Sequence, residues 1–166
     1  MQGPAEPLGL LVAAIRRAVK AMVTRRVGPL GLTPLQFWVL VGALEAPGTS
    51  QAELARRLRC DEPSVSRVVA ALSRRGWLRA SRHQGDRRRV MLALEPAGRA
   101  LARRLAPIAA EVRAEVEAPL DPAEREQVRK ALARIAGHLQ HVGGGATSSR
   151  PETQSRAARR RAGGDR

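Results

Sequence analysis

The chain has 166 residues, enough for one domain and a tail, and a formal net charge of +15 that is almost all arginine. Such a charge needs an acidic partner, most commonly nucleic acid. No apolar run approaches the ~20 residues that span a bilayer, and the N-terminus lacks a secretory signal pattern, so the expectation is a cytoplasmic protein with no membrane partner.

A lone cysteine, Cys60, excludes an internal disulfide framework and suits a reducing compartment. The aromatics are Phe37, Trp38 and Trp77 alone, so the core must come from Leu, Val, Ile and Ala on closely packed helices.

Leu8, Leu11, Val12, Ile15, Val19, Met22 and Val23 recur at helical spacing, and Gly28-Pro29 ends that first helix. Thr33-Pro34-Leu35-Gln36 is a start signal with a cap, an early proline and a capping-box glutamine. The helix after it, Phe37 to Glu45, is apolar on nearly all sides and should be central. Ser50 and Glu53 form a second capping box, opening a short helix through Leu58. Asp61 is the expected cap of a helix from Glu62 to Arg75, and Gly76 fits its left-handed stop.

Past Trp77 the period changes. Residues 78–82 predict a short strand, His83-Gln84-Gly85-Asp86 a turn, and Val90, Leu92 and Leu94 alternate with Met91 and Ala93 as in a second strand. Pro96 to Ala118 predicts a long helix with Leu101, Leu105, Ile108 and Val112 on one stripe. Asp121-Pro122-Ala123-Glu124 opens the last helix, with Val128, Leu132, Ile135 and Leu139 on one face. The composition then collapses to Gly, Ser, Thr, Ala and Arg, and residues 142–166 read as a basic, disordered tail. The fold class is mainly α with a small β-hairpin wing.

Ser50-Gln51-Ala52-Glu53-Leu54-Ala55, followed by Ser64-Val65-Ser66-Arg67-Val68-Val69, resembles the helix-turn-helix of the MarR family of bacterial transcriptional regulators. Leu72-Ser73-Arg74-Arg75-Gly76-Trp77-Leu78 is similar to that family's passage from helix to wing. Asp86-Arg87-Arg88, with Leu94 and Gly98, matches its wing signature of Asp-x-Arg, then Leu-Thr and a glycine. The likeness covers residues 8–141 in element order and is sharpest over 50–98. Glu95 stands where the family has a threonine, a better cap, so a frayed start of the fifth helix is expected.

The resemblance implies one domain over 1–141. Residues 8–28 and 96–141 would be dimerisation helices flanking a winged helix-turn-helix over 33–95. It further implies a homodimer on a pseudo-palindromic site in double-stranded DNA, mostly as a repressor, with a small-molecule or oxidant effector in many members. The scarcity of aromatics leaves a ligand-independent regulator open.

Residues 56–89 hold eleven arginines against Asp61, Glu62 and Asp86, a net +8 in 34 residues, as a phosphate-tracking surface needs. The alternative is an arginine-rich chain throughout, against which the uneven distribution argues. In the recognition helix Val65, Val68, Val69 and Leu72 turn inward, leaving Pro63, Ser64, Ser66, Arg67, Ala70 and Arg74 outward. Arg67 can pair with guanine O6 and N7. Ser64 and Ser66 either permit close approach to DNA or are simple surface positions. Ser50 and Gln51 lie where a helix N-terminus can hold a phosphate, and Ser50 can equally act as a cap alone.

At the wing, Asp86 either forms the turn or orients Arg88 into the minor groove, the second role following from the family likeness. Arg87 and Arg89 would then meet phosphates. Trp77 is read as packing under the wing, with intercalation as the alternative. Cys60 is either a small turn or core residue or an oxidant sensor, since Arg56, Arg57, Arg59 and the adjoining helix start would lower a thiol pKa.

His138 and His141 are too few for a closed zinc site, so no metal is expected. No catalytic or cofactor-binding constellation is present, so neither an enzyme nor a cofactor is expected. The rival function is a chromosome-organising protein that coats DNA without a specific site, helped by the arginines of the tail.

Overall fold

The computed structural model describes residues 6–144, with side chains through residue 141. The tail read over 142–166 lies outside the described residues, apart from the helical backbone of 142–144. Two compact units divide at Pro119 and Leu120, and each is described by itself.

In the first unit α1 (Leu8–Val27) runs into a 3-10 turn (Gly28–Leu30), followed by α2 (Pro34–Glu45), α3 (Gln51–Arg57) and α4 (Glu62–Arg74). Strands β1 (Leu78–Arg82) and β2 (Val90–Leu94) form the hairpin, and α5 (Pro96–Glu117) completes the unit. The second unit holds α6 (Pro122–Gly144).

Helix α2 is the centre, as its unbroken apolar run requires. Phe37, Val39, Leu40, Val41 and Ala43 are buried, and α1, α4 and α5 all pack on it. Thr33 caps it with the full box: its hydroxyl accepts from the Gln36 N–H and the Gln36 side chain accepts from the Thr33 N–H. Gly42 lets α3 approach, since a β-carbon there would lie 2.6 Å from Leu54 Cδ1.

The inward stripe of α5 differs from the expected one. Leu105 and Val112 are buried, but their companions are Gly98, Ala102 and Ala109, while Leu101 and Ile108 are half-buried at the flanks. Ala102 and Ala109 are small enough for α5 to pack closely on α2, Gly98 lies against the Trp77 backbone, and the larger side chains fill the margins. Two ion pairs tie this frame together: Arg26 of α1 with Glu115 of α5, and Arg113 of α5 with Glu45 of α2 at 2.6 Å.

The hairpin is antiparallel, with Leu78 opposite Leu94 and Arg82 opposite Val90. A third segment joins it, which the strand pattern does not reveal. Ser50 bridges Met91, and the Leu92 N–H donates to the Thr49 carbonyl at 3.0 Å. Met91 is therefore half-buried rather than outward. The base of the wing is thus fastened to the start of α3.

Glu95 makes no side-chain cap at the start of α5 and pairs with Arg79 at 3.5 Å instead. In the second unit Asp121 and Glu124 form a reciprocal capping box at 2.9 and 2.8 Å. Val128, Leu132, Ile135 and Leu139 of α6 lie exposed, as do Leu8, Leu10, Leu11, Val12 and Ile15 of α1.

Candidate nucleic-acid interface

Helices α3 and α4 meet through a tight turn. Arg59 takes the left-handed conformation there (φ 53°), and the Cys60 N–H donates to the Ala55 carbonyl at 3.0 Å. Asp61 opens α4 by accepting the Ser64 N–H at 2.7 Å. That bond holds the Asp61 carboxyl below the ordinary carboxylate range. Val65, Val69 and Leu72 are buried and Val68 half-buried, so the opposite face is fixed toward solvent. It presents Pro63, Ser66, Arg67, Ala70 and Arg74.

Ser64 is half-buried and its hydroxyl accepts a bond from Arg67 Nη2 at 3.0 Å. The guanidinium most suited to reading a base is thereby held against the first turn of its own helix. At the far end of α4, Arg75 donates to the Gly31 carbonyl at 3.2 Å and lies 5.0 Å over the Trp77 ring. Trp77 is half-buried in this packing, as its core reading required.

Between α4 and the hairpin runs an open groove of about 1060 Å3, bordered by Gln51, Ser66, Ala70, Arg74 and Arg79. Residues 79–89 of the wing are all exposed. Asp86 accepts the backbone N–H of Arg88 at 3.0 Å, so its hold on Arg88 runs through the main chain and not through the guanidinium. This is the turn-forming role, and it leaves the Arg87 and Arg88 side chains without an ion-pair partner among the described residues.

Three side chains at the expected site have particular partners. Ser50 is only 3% exposed, and its hydroxyl and N–H are committed to Glu53, so its side chain acts as the cap. Arg89 is exposed like Arg87, and its Nη2 pairs with Glu53 Oε1 at 2.7 Å. Cys60 is half-buried in the turn. Burial pushes its pKa up, neighbouring Asp61 adds to that, and Arg16 of α1, rather than the three arginines of the adjoining turn, opposes it. Its Sγ donates to the Leu58 carbonyl at 3.4 Å beside a cleft of about 320 Å3 shared with Trp38, Arg57 and Arg113.

No group of three or more His, Cys, Asp or Glu could hold a metal among the described residues. No single helix among them is long and apolar enough to cross a membrane. Sequence reasoning missed the 49–50 bridge and the Glu53–Arg89 pair. The first is too short for a strand period, and the second joins residues 36 apart. The only local trace of either was Glu53's place in the capping box.

The family model described as "MarR family" matches residues 30–89, from the approach to α2 through the helix-turn-helix to β1 and the wing loop. A crystal structure of a probable transcriptional regulator from Pseudomonas aeruginosa is 32% identical, with a TM-score of 0.63, over 78% of this chain and 97% of that one. The chain belongs to the MarR family. It is a DNA-binding transcriptional regulator of the winged helix-turn-helix type.

Other relatives agree with this membership. An HTH-type transcriptional repressor of Mycobacterium tuberculosis is 28% identical over 129 residues, which are 78% of this chain and 93% of the relative. BpsR of Bordetella bronchiseptica, whose DNA binding is regulated by 6-hydroxynicotinic acid, is 26% identical with a TM-score of 0.69, over 82% of this chain and 97% of that one.

Proposed function

We propose that this MarR-family regulator is a cytoplasmic repressor that binds a pseudo-palindromic site as a homodimer. The observation that carries this is the pairing of two arginine probes on rigid supports. Arg67 stands on the solvent face of α4, held by Ser64, and Arg88 stands on a wing tip closed by Asp86. A guanidinium on a recognition helix reads guanine in the major groove, and one on a wing reads minor-groove shape. Ser66, Arg74 and Arg87 flank these probes, while Pro63 and Gln51 shape the surface beside them.

A second copy supplies the partner for the exposed apolar faces of α1 and of α6, which would otherwise stand in water. Two recognition helices one helical turn apart then demand a two-fold site. A small-molecule effector that favours the non-DNA geometry would release the protein; the DNA binding of BpsR is regulated by such a molecule, 6-hydroxynicotinic acid. No catalytic step is assigned to the protein.

The test is selection of bound fragments from the source genome by purified protein at near-physiological salt. Enrichment of a few fragments sharing a two-fold motif is the expected result. Even recovery across the genome would replace it with DNA coating.

A further inference from the structure

The base of the wing carries an arginine that faces away from its neighbours' task. Arg89 closes the wing loop with its backbone: its N–H donates to the Asp86 carbonyl and its carbonyl accepts from the His83 N–H, both at 2.9 Å. Its side chain crosses to α3 and meets Glu53 at 2.7 Å. The other Glu53 oxygen accepts the Ser50 N–H at 2.8 Å, and Ser50 itself bridges Met91 of β2. One carboxylate thus starts α3 and anchors the wing.

An exposed ion pair adds little to stability, and the Arg89 and Glu53 side chains are 45% and 39% exposed here. What distinguishes this pair is its placement. Glu53 is fixed by the cap before Arg89 arrives, so little further freedom is lost on pairing. Arg89 follows directly on Arg87 and Arg88, so wherever it is held, the two tip arginines are held relative to α4.

We propose that Glu53 and Arg89 are positioning residues for DNA recognition: the pair sets the distance between the wing tip and the recognition helix, and Arg89 is not itself a phosphate contact. The proposal rests on the reading of the wing as a DNA-binding element.

Four variants decide it, measured on the selected site and on random duplex, with the parent protein alongside. Glu53→Gln keeps the capping box, which accepts Gln as well as Glu, and loses only the charge. If Arg89 is a strut, Glu53→Gln lowers the specific-to-random affinity ratio by about three- to five-fold. Arg89→Gln then does the same, the double variant adds nothing further, and Arg89→Lys restores the parent ratio.

If Arg89 is a phosphate contact, the signs reverse. Removing the neighbouring acid tightens binding to both duplexes, and Arg89→Gln weakens both equally while reducing the salt slope by about one. Those results overturn the proposal and leave the regulator reading standing. A parent protein that shows no preference for any site overturns both.

Discussion

Gly98 of α5 sits against the carbonyl oxygen of Trp77 so closely that a β-carbon on it would lie 1.8 Å away. The same carbonyl accepts the Glu95 N–H at 3.1 Å, so the end of the recognition segment and the start of α5 share one oxygen. Gly98→Ala must move backbone, not a flexible side chain, to relieve the overlap. The expected cost is about 3 kcal/mol of stability, seen as a melting temperature lower by about 10 °C in a thermal unfolding scan. A shift under about 2 °C would mean that the two segments separate without penalty.

The Gly98 contact also shows which parts of the molecule were legible. The glycine was readable as part of a wing signature, but its cause, a carbonyl from Trp77, is a tertiary fact. Thr33, Ser50, Asp61 and Asp121 were legible as helix starts because a cap is a bond within four residues. The stripe of α5 was misjudged because leucine and isoleucine were weighted over Ala102 and Ala109, whose value lies in close helix approach, and over Gly98, which makes room for the Trp77 backbone. The partners of Ser50 and Arg89, in β2 and α3, were out of reach for a related reason: periodicity cannot see them.

Arg67 and Ser64 should behave as a unit in DNA reading. Arg67→Ala is expected to cost ~1–3 kcal/mol of specific binding and to relax base preference at one position of each half-site. Ser64→Ala frees the guanidinium from its 3.0 Å bond and should broaden the same position with a smaller loss of affinity, while Ser64→Thr keeps the hydroxyl and the preference. Selection from a randomised half-site reads both. Equal weakening on specific and random DNA would reassign Arg67 to the phosphates.

Acid should loosen the helix-turn-helix from its caps. Asp61 accepts the Ser64 N–H and Glu53 the Ser50 N–H, and those bonds hold both carboxyls below their ordinary range. A lowered folded pKa means that the stabilisation is fully present above the unfolded values of about 3.9 and 4.3, and is lost as pH falls through the folded ones. Stability against urea should therefore stay level from pH 7 to about 5 on account of these groups, then fall below about pH 4. Asp61→Asn still caps but no longer titrates, so its acid limb should be shallower than the parent's. An unchanged limb in that variant would place the acid sensitivity elsewhere.

Cys60 should be a slow thiol. Burial, reinforced by Asp61, keeps it protonated at neutral pH, and the thiolate is the form that reacts. Alkylation by iodoacetamide at pH 7.5 is expected to run several-fold slower than for a free cysteine, and to quicken only above the ordinary thiol range of about pH 8.5. Cys60→Ser should bind the selected site as the parent does, and mild peroxide should release neither. Release of the parent alone would restore the oxidant-sensing role that the neighbouring arginines first suggested. The cleft beside the thiol, with Trp38 and with Arg113 paired to Glu45, would then be where oxidation is felt by both α2 and α5.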